Sequence, residues 1–404
     1  MLDGLDDLDW ASLEHAYGPA ADVPGHVRAL RSESADDRRR ALSGLYGGIC
    51  HQGTRYEASA PAVPFLLELL ADPATPDRAA VARLVASIAV GHHEAWLPVG
   101  FPVADLRAAA EGGAELLRAA PPPAEDDEDE DFEGESRLDY WDGLDDAQRS
   151  VMAAFVELAA YDAVRAGLPV LRDLLTGGDA HGDAALRAAA AFTLGWFPED
   201  EAASVAVLTA AVADPSRSVA ATAIVALGLL GTVVPAALHD ARPEIRWAAA
   251  VALARVRGAA AGEEAAAELL RWAGGATTAR AGIPFLDGDL AGYAALSLPA
   301  LASSDSASDP SPLASGEALD ALLARLGTVT GVETLPVLGT ALGLVFPDGP
   351  GTGAAGPRHR LVKALADAPA AWQIGGRRFA DVSGLLRSYG LPGDPEGMNA
   401  LLTG

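Results

Sequence analysis

The chain has one cysteine and one lysine in 404 residues. The lone thiol, Cys50, excludes an intramolecular disulfide and any multi-cysteine zinc site. Aromatic residues make up only 6% of the sequence, and its apolar half is mostly Ala, Leu and Val. Few aromatics and little β-branched alternation argue against a sandwich or barrel. The longest apolar stretches, around Phe192–Trp196 and Ala220–Leu230, fall short of the ~18 residues of a membrane span. The opening segment MLDGLDDLDW lacks the basic and apolar regions of a signal peptide, so a cytoplasmic location is the default expectation. Lys363 stands alone among many arginines, and the formal charge is −27. That charge repels nucleic acid at long range, whereas DNA binders neutralise phosphates with clustered cations. Neither nucleic acid nor membrane is expected as a partner.

Enzyme signatures are equally scarce. There is no G-x-x-x-x-G-K-[ST] phosphate loop, no G-x-G-x-x-G after a strand and no G-x-S-x-G elbow. His51, Glu57, His92, His93 and Glu94 have the chemistry of zinc ligands. No H-E-x-x-H spacing exists, however, and the adjacent His92 and His93 diverge. Cys50 beside His51 reads as a packing cysteine at a helix end, because neighbouring side chains rarely face each other. No catalytic residue, metal or cofactor is assigned.

What the sequence does contain is repetition. DAALRAAAAFTLGWF from Asp183, RSVAATAIVALGLLG from Arg217 and PEIRWAAAVALARVRG from Pro243 share one pattern. Leu186, Val219 and Ile245 each stand eight positions before Leu194, Leu227 and Leu253. Eight residues place both anchors on one helix face, two turns apart. Asp214 and Asp240 precede the first anchors by five, with Pro215 or Pro243 close behind, as helix-start signals do. Shorter helices are expected at PAVPFLLELLADP, AGLPVLRDLLTGG, ASVAVLTAAVADP and VVPAALHD. The order is helix, turn, shorter helix, Asp-rich turn, helix.

The D-P turns, the A-x-A-L-G ending and the V-P-x-L-x-x-L-L second helix resemble HEAT repeats, in particular the short bacterial version found in phycobilin lyases. The resemblance spans about Ala35 to Gly91 and Asp145 to Ala273. It implies an all-α, right-handed α-α superhelix, a solenoid in which stacked hairpins share a core. Most members of that superfamily resemble interaction scaffolds, and a few carry enzymatic activity. A lyase-like, ligand-modifying enzyme and a HEAT-like DNA glycosylase are the alternatives it offers.

Composition divides the chain further. HEAT-like repeats are expected over 1–120 and 144–301. An acidic disordered insertion is expected over 121–143, where nine acids crowd Glu125–Glu135. A Ser/Asp/Pro linker follows at 302–316. Helices with a basic end (Arg358, Arg360, Lys363, Arg377, Arg378, Arg387) are expected over 317–404.

The repeat register also locates candidate contact residues. HQGTRYEASA from His51, GHHEAWLP from Gly91 and the turn after FTLGWF occupy equivalent turns, which stacking should set in a row. His51, Gln52, Arg55, Tyr56, Glu57, His92, His93, Trp96 and Trp196 suit a protein-binding edge. Arg187 and Arg246, at matching helix positions, and Trp247 could line a groove for an acidic partner. Each has a structural alternative. Tyr56 and Trp96 would cover hairpin ends, Glu57 cap a helix and His51 bond a loop carbonyl. The arginines would pair with acids of the preceding turn. The functional expectation is a protein–protein interaction scaffold without catalysis.

Overall fold

The anchors spaced eight residues apart behave as their period predicts: Leu186 and Leu194, Val219 and Leu227, Ile245 and Leu253 are all buried on helices. The computed structural model describes residues 2–123, 137–177, 183–275, 282–302, 313–351 and 355–403. Over these residues the protein is all-α and solenoid-like, with 20 α-helices and only two short hairpins of strand. Two compact units result: Met1–Trp96 with Gly100–Val207, and Leu97–Val99 with Leu208–Gly404.

The first unit opens with a hairpin, β1 (Glu14–His15) and β2 (Gly18–Pro19). Four helices follow: α1 (Val23–Ala29), α2 (Ala35–Gly48), α3 (Ser59–Ala71) and α4 (Arg78–Val90). Next come α5 (Val103–Ala109), α6 (Gly113–Ala119), α7 (Arg137–Gly143) and the 21-residue α8 (Asp146–Ala166). The unit ends with α9 (Leu168–Thr176), α10 (Ala184–Leu194) and the first part of α11 (Glu201–Ala211), inside which the division falls. α4 packs on α10, and α3 packs on α4 and α9. α8 lies across α3 and α4 and also receives α5 and α6.

Most of the expected acidic insertion, 124–136, lies outside the described residues. The final part of that stretch is not coil but α7, because Arg137 is anchored between two carboxylates, Glu14 (2.7 Å) and Glu57.

The second unit contains α12 (Arg217–Leu229), α13 (Pro243–Arg257), α14 (Glu263–Ala273), α15 (Leu290–Ala302) and α16 (Ser315–Leu326). It ends with α17 (Thr334–Val345), α18 (Ala355–Asp367), a hairpin of β3 (Gln373–Ile374) and β4 (Arg377–Arg378), α19 (Ala380–Ser388) and α20 (Pro395–Thr403). α12, α13, α15, α17 and α19 pack successively in one row, and α14, α16, α18 and α20 in a second. The helices after 317 therefore continue the two-row packing begun before 301. Within the 302–316 stretch, 303–312 lies outside the described residues and Ser315 already begins α16. Where α12 crosses α13, Gly228 faces Ala252, and an added Cβ would lie 2.7 Å from that methyl.

The Asp-rich turns work differently from their expected capping role. Asp72, Asp214 and Asp240 accept a backbone N–H two residues ahead, from Ala74 (3.0 Å), Ser216 (2.7 Å) and Arg242 (2.8 Å). They shape the turn before the helix. True caps occur at Asp183, which accepts from Leu186, and at Asp145, which forms a capping box with Gln148.

The two hairpins are related. Glu14 pairs with Pro19 and Gln373 with Arg378, each across a two-residue turn. Two residues after each hairpin stand ADVPGHVRAL (Ala21–Leu30) and ADVSGLLRSY (Ala380–Tyr389), with Val23, Val27, Val382 and Leu386 buried. One hairpin–helix module thus occurs in each unit.

Candidate functional site

The turns predicted to lie in a row do so within the first unit. The α2–α3 turn is a 3-10 turn at His51–Gly53, with Gln52 and Gly53 at positive φ. That bend brings Gly53 against the His92 ring, where an added Cβ would lie 2.8 Å from the imidazole. Arg55 crosses to the second turn, where its guanidinium fills the space a side chain on Gly91 would take. His93 of the second turn then meets the third, with its ring 5.0 Å from Phe192 and 6.2 Å from Trp196.

Much of the row is consumed by its own packing. Arg55 is buried, donates to Gly53 O at 2.5 Å and forms an ion pair with Glu157 at 2.7 Å. Burial pulls its pKa down, and Glu157 opposes that shift. Glu57 binds Arg137 rather than capping a helix. Trp96 donates its indole N–H to Val90 O (2.7 Å) and packs edge-on to Phe101. Phe101 stacks on Tyr161, and Tyr161 on Phe197, at 5.3 and 4.6 Å. Such pairs contribute about 0.5–1.5 kcal/mol each beyond their buried area. Trp196 is 1% exposed and belongs to this core. Tyr56 is half-buried, and burial followed by the nearby Glu14 raises its pKa.

The helix-borne candidates are structural as well. Arg187 in the first unit and Trp247 in the second are buried, so neither offers a contact surface. Trp247 donates to Leu290 O (2.8 Å) and packs edge-on to Tyr293. Arg246 binds the carbonyls of Asp240 (2.8 Å) and Ala241 (3.2 Å) and approaches Glu268, which is the pairing with neighbouring turns and acids described above.

Other residues of the row stay open. Gln52 and His92 are exposed, and with Tyr46, Cys50 and Ser87 they line a hollow of about 200 Å³. His51 carries Tyr17 edge-on at 5.5 Å, its Nδ1 3.4 Å from the tyrosine hydroxyl. Tyr17 is 70% exposed. It is held there because the β1–β2 hairpin is bolted to the row: Ala16 N donates to Gly48 O and Ala58 N to Glu14 O. His15 packs on Gly48, accepts from Tyr17 N through Nδ1 and contacts Asp22 at 3.1 Å. The repeat register gives no hint of Tyr17, since it precedes the first repeat helix.

Behind the third turn lies a charge network that sequence reasoning also missed. Arg107 makes a bidentate pair with Asp162 (2.6 and 3.0 Å) and reaches Glu199 (2.7 Å). Glu199 accepts from Tyr161 (2.8 Å), whose pKa rises mainly through burial and then through this bond. These residues stand far apart in sequence, and only the fold joins them.

Cys50 donates to Ser87 O (3.3 Å), and burial pushes its thiol up to about 11 although Arg55 opposes the shift. Such a thiol is almost wholly protonated at neutral pH. Among the described residues no group of three or more His, Cys, Asp or Glu could hold a metal ion. Among them, too, no helix is long and apolar enough to cross a membrane.

No family model matches the chain, and no curated protein matches it. Among solved structures it is similar to an engineered protein at 18% identity, over 95% of this chain and 94% of the other, with a TM-score of 0.27. A likeness that low carries no argument.

Proposed function

We propose that this chain is a protein-binding scaffold built from HEAT-like repeats, with the turn row of the first unit as its contact edge. The observation that carries the proposal is the presentation of Tyr17. A tyrosine 70% exposed, braced by His51 and tied by main-chain bonds to the repeat turns, is a rigid amphipathic anchor of the kind that concentrates binding energy. Gln52 and His92 extend the same edge with polar groups. The two-row helix packing supports the HEAT-like reading, since it matches what stacked hairpins need in order to share a core. A cytoplasmic setting belongs to the same proposal.

The test is affinity enrichment from host lysate, with mass spectrometry, of wild type and a Tyr17→Ala/His92→Ala variant. Both side chains are exposed, so circular dichroism and the melting curve should be unchanged. A protein retained by wild type and lost by the variant is the expected result. Identical retention by both would remove the edge from consideration.

A further inference from the structure

The hollow at Cys50 and a larger hollow lie one after the other along facing sides of α2 and α4. On α2 and its continuation, Arg39, Leu42, Tyr46 and Cys50 recur at intervals of three or four and share one face. On α4 and its continuation, Ala80, Arg83, Ser87 and Gly91 do the same. The first members of each series line a hollow of about 470 Å³, and the last members line the hollow of about 200 Å³. Leu42, Ala79, Ala80 and Val81 give the larger hollow an apolar lining.

Its charge runs against that of the whole molecule. The acids that line this hollow are already engaged: Asp77 with Arg38 (2.7 Å) and Asp183 with the start of α10. Arg39 is 74% exposed and paired only across one turn of its own helix at 2.8 Å, a contact that competes weakly with a better-placed carboxylate. Arg83 is exposed and makes no ion pair among the described residues. A chain of net charge −27 thus keeps Arg83, and Arg39 with its one exposed same-helix pair, beside one apolar-lined groove.

We infer that the α2–α4 groove binds an acidic segment of a partner protein, with carboxylates on Arg39 and Arg83 and an apolar side chain over Leu42 and Ala80. Guanidinium forks suit carboxylates geometrically as well as electrostatically. The inference deepens the scaffold reading and rests on it, adding the chemical class of the partner and a second contact region that meets the turn row at His92.

A random peptide display library selected on the immobilised full chain provides the test. Selected peptides should be enriched in Asp and Glu flanking an apolar residue. A synthetic peptide of the selected sequence should bind the Arg39→Glu/Arg83→Glu variant at least about tenfold more weakly, because like charges then oppose each other. Arg358→Glu, at the basic C-terminal end, should leave its affinity unchanged, and circular dichroism should show both variants folded. Selected peptides without acidic bias, or equal affinity for the charge-reversed groove, would overturn the inference. The scaffold reading fails separately: a lysate partner that depends on Tyr17 yet binds the charge-reversed chain supports the edge and sinks the groove.

Discussion

Arg55 and Gly91 lie against each other across two successive turns, the guanidinium resting where a Gly91 side chain would stand. Gly91 also has φ +64° and ψ −130°, a conformation that residues with a Cβ avoid. Gly91→Ala should therefore cost about 1–3 kcal/mol from the backbone alone, with further loss as Arg55 is displaced. Urea unfolding measures it. An unchanged midpoint would mean that the turns are not in contact.

The Arg55–Glu157 pair should behave as a buried ion pair. Removing one partner strands the other, so Arg55→Met should destabilise by about 3 kcal/mol. Arg55→Met/Glu157→Leu should recover much of that loss. A double-mutant cycle reads the coupling directly, and additive effects would contradict the pairing.

Cys50 offers a chemical check on burial. Its thiol is raised from 9.0 to about 11, which leaves about a hundredfold less thiolate near neutral pH. Iodoacetamide should label the folded chain at least that much more slowly than the urea-unfolded chain. A group raised in the folded state stabilises below its unfolded pKa, so this contribution is present at neutral pH and lost as pH rises from about 9 toward 11. Cys50→Ala should flatten that alkaline decline, and native labelling at the unfolded rate would show an open thiol.

Asp240 carries the opposite sign. Its side-chain and backbone bonds from Arg242 hold its carboxyl down at about 2. A depressed carboxyl stabilises above its unfolded pKa and loses that contribution as pH falls from about 4 toward 2. With solvent screening the contribution is about 1 kcal/mol. Asp240→Asn should lower stability at neutral pH by that amount and shrink its fall in acid, as thermal melts across this range would reveal. An unaltered acid limb would mean that the Arg242 pair is not formed in solution.

The helices were legible because their signals are periodic. Leu186 and Leu194, like Ile245 and Leu253, mark a helix by their spacing, although both helices are buried on nearly every side and not on one face alone, and turn register alone brings His51, His92 and Trp196 into line. Exposure was not legible. Arg55, Trp96 and Trp196 look like contact residues in a list of polar and aromatic side chains, yet Glu157, Val90 O and Phe192 occupy them. Residue type says what a side chain can do, and only its neighbours say whether it is free to do it. The cluster of Arg107, Asp162 and Glu199 lacked any local signal, since its members come from three segments. The ADV-x-G repeat at Ala21 and Ala380 was present in the sequence, but its two copies lie far apart and outside the helical period that revealed the other repeats.

Hydrogen–deuterium exchange of the full chain, with and without a partner captured through Tyr17, tests the central claim most directly. Peptides covering 46–53 and 87–92, where the turn row and the groove meet, should gain protection on binding, while those covering 380–403 should not change. Protection confined to the C-terminal helices, with none at the turn row, would contradict the scaffold edge proposed for this protein.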